Sequence, residues 1–334
     1  MDWPGTPPSC VLLTGATGFL GQVLHRRLNS LGIPVRVLSR RAQVSTDAPA
    51  QFWQKISPLE DAPSALYRAL DGVEALFHLA AKTSPSGHYS SFYNANVVFT
   101  KALLQAARYA RVPYFIYTSS PSVVFNGQSI AGGNESLPYT QLRFAAYAHT
   151  KALAEAAVLQ AHTPELGFQT LALRPHLVWG NRDPQLLGRL LARAKMGRLI
   201  QVGSGQNRVD ITHVDNAAAA HCLALQALQK GKGGGQAYFL GQETPVFLWG
   251  WIKQLLSGYG LSGPRRRIPF PLAYGLGRAC EMLDRLRGYP PHAEPLLTRF
   301  VACQLAQDHF FDHRAAQDQL GYRPEVSIQA GLER

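Results

Sequence analysis

Acidic residues are scarce in this 334-residue chain: 21 Asp and Glu stand against 33 Lys and Arg, and the formal net charge is +12. A basic excess of that size suggests an anionic partner, whether nucleic acid, acidic lipid or an anionic small molecule. No nucleic-acid motif accompanies it, and the arginines are dispersed. Cysteine is scarce too. Cys10, Cys222, Cys280 and Cys303 are scattered, with no CxxC spacing and no histidine cluster, so neither a disulfide framework nor a zinc site is indicated. No metal is expected. The segment Met1-Asp2-Trp3-Pro4-Gly5 lacks the basic and apolar regions of a signal peptide. No uninterrupted apolar run reaches the ~18–20 residues of a membrane span. Phe270 to Leu286 comes nearest, but Arg278, Glu281, Asp284 and Arg285 interrupt it, and it reads as an amphipathic helix. Hydrophobic content of 46% with 16% charged residues excludes a disordered chain. The expectation is a globular protein of a reducing cytoplasm.

Short apolar runs fit strands buried on both faces: Cys10 to Thr14, Pro34 to Ser39, Ala75 to Leu79, Tyr114 to Thr118 and Thr170 to Leu173. Helical patterns alternate with them, at Val23–Leu31, Ser64–Leu70, Val97–Ala110 and from Tyr147 to about Ala161. That alternation predicts an α/β fold, a doubly wound parallel sheet with helices on both faces. After Arg174-Pro175 the rhythm loosens. Helices are expected over 184–196 and 216–229, strands over 208–211 and 237–240, and a helix-rich remainder. The expected division is a nucleotide-binding domain over 1–180, with 210–241 returning to it, and a smaller substrate lobe from 181–209 and 242–334.

Gly15-Ala16-Thr17-Gly18-Phe19-Leu20-Gly21 follows the first strand and opens a helix. Glycines there allow a tight turn and close approach to a pyrophosphate, which the helix N-terminus attracts. The second strand ends in Ser39-Arg40-Arg41, where an NAD site would usually offer Asp or Glu to the ribose. A guanidinium suits a 2′-phosphate, so NADP(H) is the expected cofactor. Farther on, Tyr147 and Lys151 stand four residues apart on a predicted helix and share a face. An ammonium beside a phenol favours the phenolate, so this spacing predicts a lowered Tyr147 pKa and a proton donor or acceptor for a carbonyl/alcohol pair. The spacing alone is common; its setting is not.

Gly15 to Gly21, Phe77-His78-Leu79-Ala80-Ala81, Asn96, Tyr117-Thr118-Ser119-Ser120, Tyr147xxxLys151 and Arg174-Pro175 occur in this order. Together they resemble the extended short-chain dehydrogenase/reductase superfamily, in its 3β-hydroxysteroid dehydrogenase-like branch. The resemblance implies a Rossmann fold. It implies that Ser120, rather than Ser119, bonds the reacting oxygen, that Tyr147 carries the proton, that Lys151 lowers its pKa and grips the ribose, and that Asn96 orders a water relay. It also puts Ala80, Ala81 and Pro175 beside the cofactor, and Asp215 in a scaffold role. One departure stands out: Ile56-Ser57-Pro58-Leu59-Glu60-Asp61 replaces the Gly-Asp-Leu-like stretch that meets the adenine. Longer signatures, His149 to Glu155 and Leu173 to Gly180 among them, are similar to the reductases of bacterial long-chain olefin biosynthesis. These act with NADPH on 2-alkyl-3-oxoalkanoates, anionic β-keto acids with two apolar tails. That likeness implies His149, His176 or Arg174 near the substrate, with Arg182 or Arg143 as other carboxylate partners. It further implies a homodimer and assembly with a β-lactone synthetase and a β-lactone decarboxylase. The weighed alternatives are a sterol or 3β-hydroxysteroid dehydrogenase, a nucleotide-sugar epimerase or dehydratase, and a scaffold on a dead dehydrogenase fold.

Overall fold

Val11 to Thr14 is buried at every position, as a strand covered on both faces must be. It is an interior strand of a seven-stranded parallel sheet in the computed structural model, which describes residues 3–39, 53–55, 63–84, 86–184, 186–289 and 297–333. The strands are β1 (Val11–Thr14), β2 (Val35–Ser39), β3 (Trp53–Lys55), β4 (Ala75–His78), β5 (Tyr114–Thr118), β6 (Gln169–Pro175) and β7 (Ala237–Leu240). Their spatial order is β7-β6-β5-β4-β1-β2-β3. The order reverses at β1, so a crevice opens between β1 and β4 at the carboxyl ends of the strands, where this topology binds nucleotides.

Side chains alternate across a strand, so β1 feeds two cores. Val11 and Leu13 join Phe77 and Ile116 against the helices Phe19–Ser30 and Val214–Gln229. Leu12 joins Leu76 and Phe115 on the other face, under Leu103, Leu104 and Val158. Each such buried side chain contributes about 1.5–3 kcal/mol. Residues 237–240 return to the sheet as expected, beside β6. So does a segment assigned to the lobe on sequence: Ala316, Leu320 and Tyr322 pack into the first of these cores.

The other lobe has its own core, with Trp179 edge-on to Trp251 at 5.3 Å and Leu190, Leu255 and Ile211 around them. Its helices include Leu186–Lys195, Leu248–Gly258, Phe270–Leu286 and Arg299–Ala306. A small four-stranded sheet ties it to the larger lobe by pairing His309–Phe311 with Ile130–Gly133. One helical region differs from expectation. It starts at Tyr89 rather than Val97, and a π-helical turn over Asn94–Val98 joins its two α-helical parts. Among the described residues no helix is long and apolar enough to cross a membrane, and no cluster of His, Cys, Asp and Glu is arranged to hold a metal ion.

Candidate active site

The glycine turn is built to let something approach closely. Gly15 has φ +76°, and a Cβ on it would lie 2.7 Å from the Ala80 nitrogen. A Cβ on Gly21 would lie 2.0 Å from the Gly15 carbonyl oxygen. The turn therefore packs flat against the end of β4 and under its own helix, and only glycine fits either position. Gly18 caps the helix Phe19–Ser30 with no side-chain acceptor, so the first N–H groups stay available to an anion. Gly15 through Gly21 line one cavity of about 1350 Å³, together with Ser39, Ala80, Ala81 and Pro175. That bare helix terminus and flat turn fit a dinucleotide pyrophosphate. Arg40, Arg41 and the 56–61 stretch lie outside the described residues.

A buried chain of hydrogen bonds fixes the floor of the crevice. Thr14 Oγ1 contacts His78 Nδ1 at 2.7 Å and accepts the Ala80 N–H at 3.2 Å. His78 Nε2 meets Thr100 Oγ1 at 2.9 Å, and the Thr100 hydroxyl donates to the Asn96 carbonyl at 2.6 Å. Thr100 spends its proton on Asn96, so His78 donates from Nε2 and accepts from Thr14 at Nδ1. Burial, with the Lys151 charge adding to it, pushes His78 down to about 3, so it stays neutral. The sequence reading noted His78 only as part of a motif; its two hydrogen-bond partners come from separate segments, Thr14 and Thr100.

Ser120 and Tyr147 both line the cavity. Ser120 Oγ accepts from the Ser122 hydroxyl at 3.0 Å and the Ser122 N–H at 3.3 Å. Both lone pairs are then occupied, and its own hydrogen is directed at Tyr147. Tyr147 departs from expectation. Burial raises its pKa, and a hydrogen bond from Ser120 opposes the rise without overcoming it. Lys151 makes no such correction. It is 2% exposed, lies behind the cavity wall, donates to the Thr118 carbonyl at 2.5 Å and sits 4.0 Å over the Tyr117 ring. Burial pushes Lys151 itself down to about 7, with Glu155 working against the fall. In a dry site desolvation disfavours both charged forms, the phenolate and the ammonium.

Asn96 is 1% exposed and also stands behind the wall. Its Oδ1 accepts the Lys82 N–H at 2.7 Å, and its Nδ2 donates to the Lys82 carbonyl and to Thr150 Oγ1 at 3.0 Å. It thereby clamps the loop after β4 to the helix that carries Tyr147 (Ala146–Gln160).

The expected substrate contacts divide. His176 lines the cavity, with Nδ1 on the Asp210 carbonyl at 2.5 Å. Arg143 lines it as well, stacked 4.8 Å over the Tyr89 ring. His149 points elsewhere, to the Tyr89 hydroxyl at 2.7 Å, because two helical steps turn it roughly 200° from Tyr147. Arg174 is a correction. Successive strand residues face opposite ways, so when Pro175 meets the cavity Arg174 cannot. It is 2% exposed and clamped to Glu155, with Nη2 2.5 Å from Oε1, and Tyr139 donates to the same carboxylate at 2.8 Å. Arg182 is exposed at a left-handed turn (φ +65°) and does not line the cavity.

Residues 12–272 match the model of the 3-beta hydroxysteroid dehydrogenase/isomerase family. A 2-alkyl-3-oxoalkanoate reductase of Stenotrophomonas maltophilia (strain K279a) is 41% identical over 97% of both chains. The sterol-4-alpha-carboxylate 3-dehydrogenase, decarboxylating, of Mus musculus is 33% identical over 96% of this chain and 88% of its own. Among solved structures, the crystal structure of gox2253 superposes with a TM-score of 0.76 at 27% identity, covering 97% of this chain and 96% of that one.

Proposed function

From the 3-beta hydroxysteroid dehydrogenase/isomerase family, to which this chain belongs as an NAD(P)-dependent oxidoreductase, we propose a narrower activity: reduction of the 3-keto group of a 2-alkyl-3-oxoalkanoate to the 3-hydroxy acid. The observation that carries this reading is the 41% identity to a reductase of that name over 97% of both chains. The names of the two relatives share a chemical feature. In 2-alkyl-3-oxoalkanoate and in a sterol-4-carboxylate acted on at carbon 3, the reacting carbon lies β to a carboxylate. The substrate class is therefore a β-keto or β-hydroxy acid, and the site needs one cation beside the reacting carbon.

Arg143 suits that cation. Tyr89 supports its guanidinium from below, and the Tyr89 hydroxyl is itself held by His149. Gly15 to Gly21 would hold the pyrophosphate, and Ser39 with Arg40 and Arg41 would select the 2′-phosphate of NADPH. When bound, the nicotinamide supplies the hydride equivalent that reduces the ketone carbon. Ser120 would turn its hydrogen from Tyr147 to the ketone oxygen as negative charge grows there. Tyr147, kept protonated by burial, supplies the proton that completes the alcohol. Its raised pKa suits the reducing direction, in which the phenol must arrive protonated. Lys151 braces the Tyr147 helix against β5 and holds its ammonium behind the cavity wall. Asn96 holds the loop and helix together. Leu190, Leu199, Val301 and Leu305 line the far part of the cavity and suit alkyl tails.

The test is oxidation of NADPH and of NADH with a 2-alkyl-3-keto acid, a 3-ketosteroid and a nucleotide sugar in parallel. The acid with NADPH is expected to give the highest kcat/KM. Arg143→Ala is expected to raise KM for the acid about tenfold or more, the loss of one charge-assisted contact. Preference for the steroid or the sugar would overturn the substrate assignment; preference for NADH would overturn the cofactor assignment.

A further inference from the structure

The helix Phe270–Leu286 is inverted relative to an ordinary surface helix. Its inward side carries Ala273, Gly277 and Asp284, all buried. A Cβ on Gly277 would lie 2.6 Å from the Thr298 carbonyl carbon and 2.7 Å from the Arg299 nitrogen, so the helix rests on the backbone there, without apolar bulk between. Leu272, Leu276, Met282, Leu283 and Leu286 face outward, each between 47 and 73% exposed. Their helical spacing gathers them into one stripe. Ordinary surface helices bury such a stripe.

Among the described residues of the helix and its C-terminal cap, the exposed charge has one sign. Arg278, Arg285 and Arg287 are exposed. The two acids of the helix are turned away: Glu281 accepts the Arg299 N–H and Nε, both at 2.7 Å, and Asp284 is buried. The stripe also adjoins an opening. Leu276 and Arg285, with Met196, Arg198 and Ile200 from the facing segment, are exposed and at the same time line the active-site cavity. Residues that do both form its rim.

We propose that this helix lies flat on an anionic lipid surface, and that the cavity opens toward it. Met282, Leu283 and Leu286 would enter the outer acyl region, while Arg278, Arg285 and Arg287 meet lipid phosphates. A protein partner would also cover leucines. Arginine as the sole exposed charge on the helix, beside the mouth of an apolar cavity, favours a sheet of phosphates over a mosaic of both signs. Delivery of a lipid-like substrate through this mouth rests on the function proposed above; binding to the bilayer does not.

The test is co-sedimentation of the full chain with vesicles of phosphatidylcholine alone and of phosphatidylcholine with phosphatidylglycerol. Wild-type protein is expected to bind the anionic vesicles and to be released by salt. Leu283→Glu/Leu286→Glu is expected to lower partitioning about tenfold or more, since both side chains leave the apolar layer. Arg278→Glu/Arg287→Glu is expected to lower it by at least about fivefold per arginine. None of these four positions lines the cavity, so circular dichroism and turnover of a short, water-soluble keto acid should match wild type. Wild type that stays in solution with anionic vesicles, or a leucine variant that binds equally well, overturns the proposal. So does a lipid-free dimer that the leucine variant dissolves, because a second copy then owns the face. Vesicle binding without turnover of any β-keto acid would unseat the substrate reading and leave this one standing.

Discussion

The two ends of the cavity are built by opposite means. At the nucleotide end the backbone does the shaping: a glycine turn too tight for any Cβ, a bare helix terminus, and a buried chain from Thr14 through His78 and Thr100 to Asn96. At the substrate end side chains do it: leucines on a thinly supported helix, and arginines at a rim open to solvent. Buried polar networks fix one arrangement, since every unmade bond is costly. Apolar walls accept changes of shape more readily. One end is thus held to a single geometry, while the other is freer to change shape.

Tyr147→Phe is the severest test of that contrast. If the nucleotide end is as rigid as its bonding implies, the loss is chemical: kcat falls by about 10²–10⁴. Nucleotide affinity, read by fluorescence titration, stays near wild type. Equal loss of both would mean that Tyr147 also holds the lobe in shape.

The Arg174–Glu155 pair gives the next largest effect. Breaking a buried pair by removing one partner costs about 3–5 kcal/mol. Glu155→Ala is therefore expected to lower the denaturant midpoint sharply while KM for the keto acid stays within about twofold, because neither residue reaches the cavity. A large rise in KM with unchanged stability would return Arg174 to the substrate.

The smallest effect is a pH dependence. Lys151 is held at about 7, below its usual value, so its ammonium is lost as pH rises through that region. kcat/KM for the nucleotide reports on the free enzyme, and it should fall about tenfold per unit above pH 7. In Lys151→Arg, which keeps its charge, the fall should move well upward. A profile flat from pH 6 to 9 in wild type would show that the buried charge plays no part.

Much of the nucleotide end was legible in the sequence for a physical reason. Strands covered on both faces read as unbroken apolar runs, as in Val11-Leu12-Leu13 and Ala75-Leu76-Phe77, and a turn that excludes Cβ atoms must be written in glycine. The other end was not. The strands of the small sheet are two to four residues long and pair across distant segments, so no local period marks them. Arg174 misled because a motif names neighbours without saying which face each takes. The sign of the Tyr147 shift was also out of reach, since the four-residue spacing to Lys151 conveys proximity and says nothing of dryness.

The π turn at Asn94–Val98 carries one residue more than an α-helical path would need. Each helical residue accounts for about 100° of rotation. Deleting a single residue there would smooth the helix and swing everything before it by roughly that angle, while the Thr100 side stayed anchored to His78. Asn96 would lose its grip on Lys82 and Thr150 together, and the loop beside the crevice would part from the Tyr147 helix. A local defect in regularity thus serves as a phase adjuster. It lets one continuous rod meet two neighbours whose required orientations no uniform helix could satisfy at once.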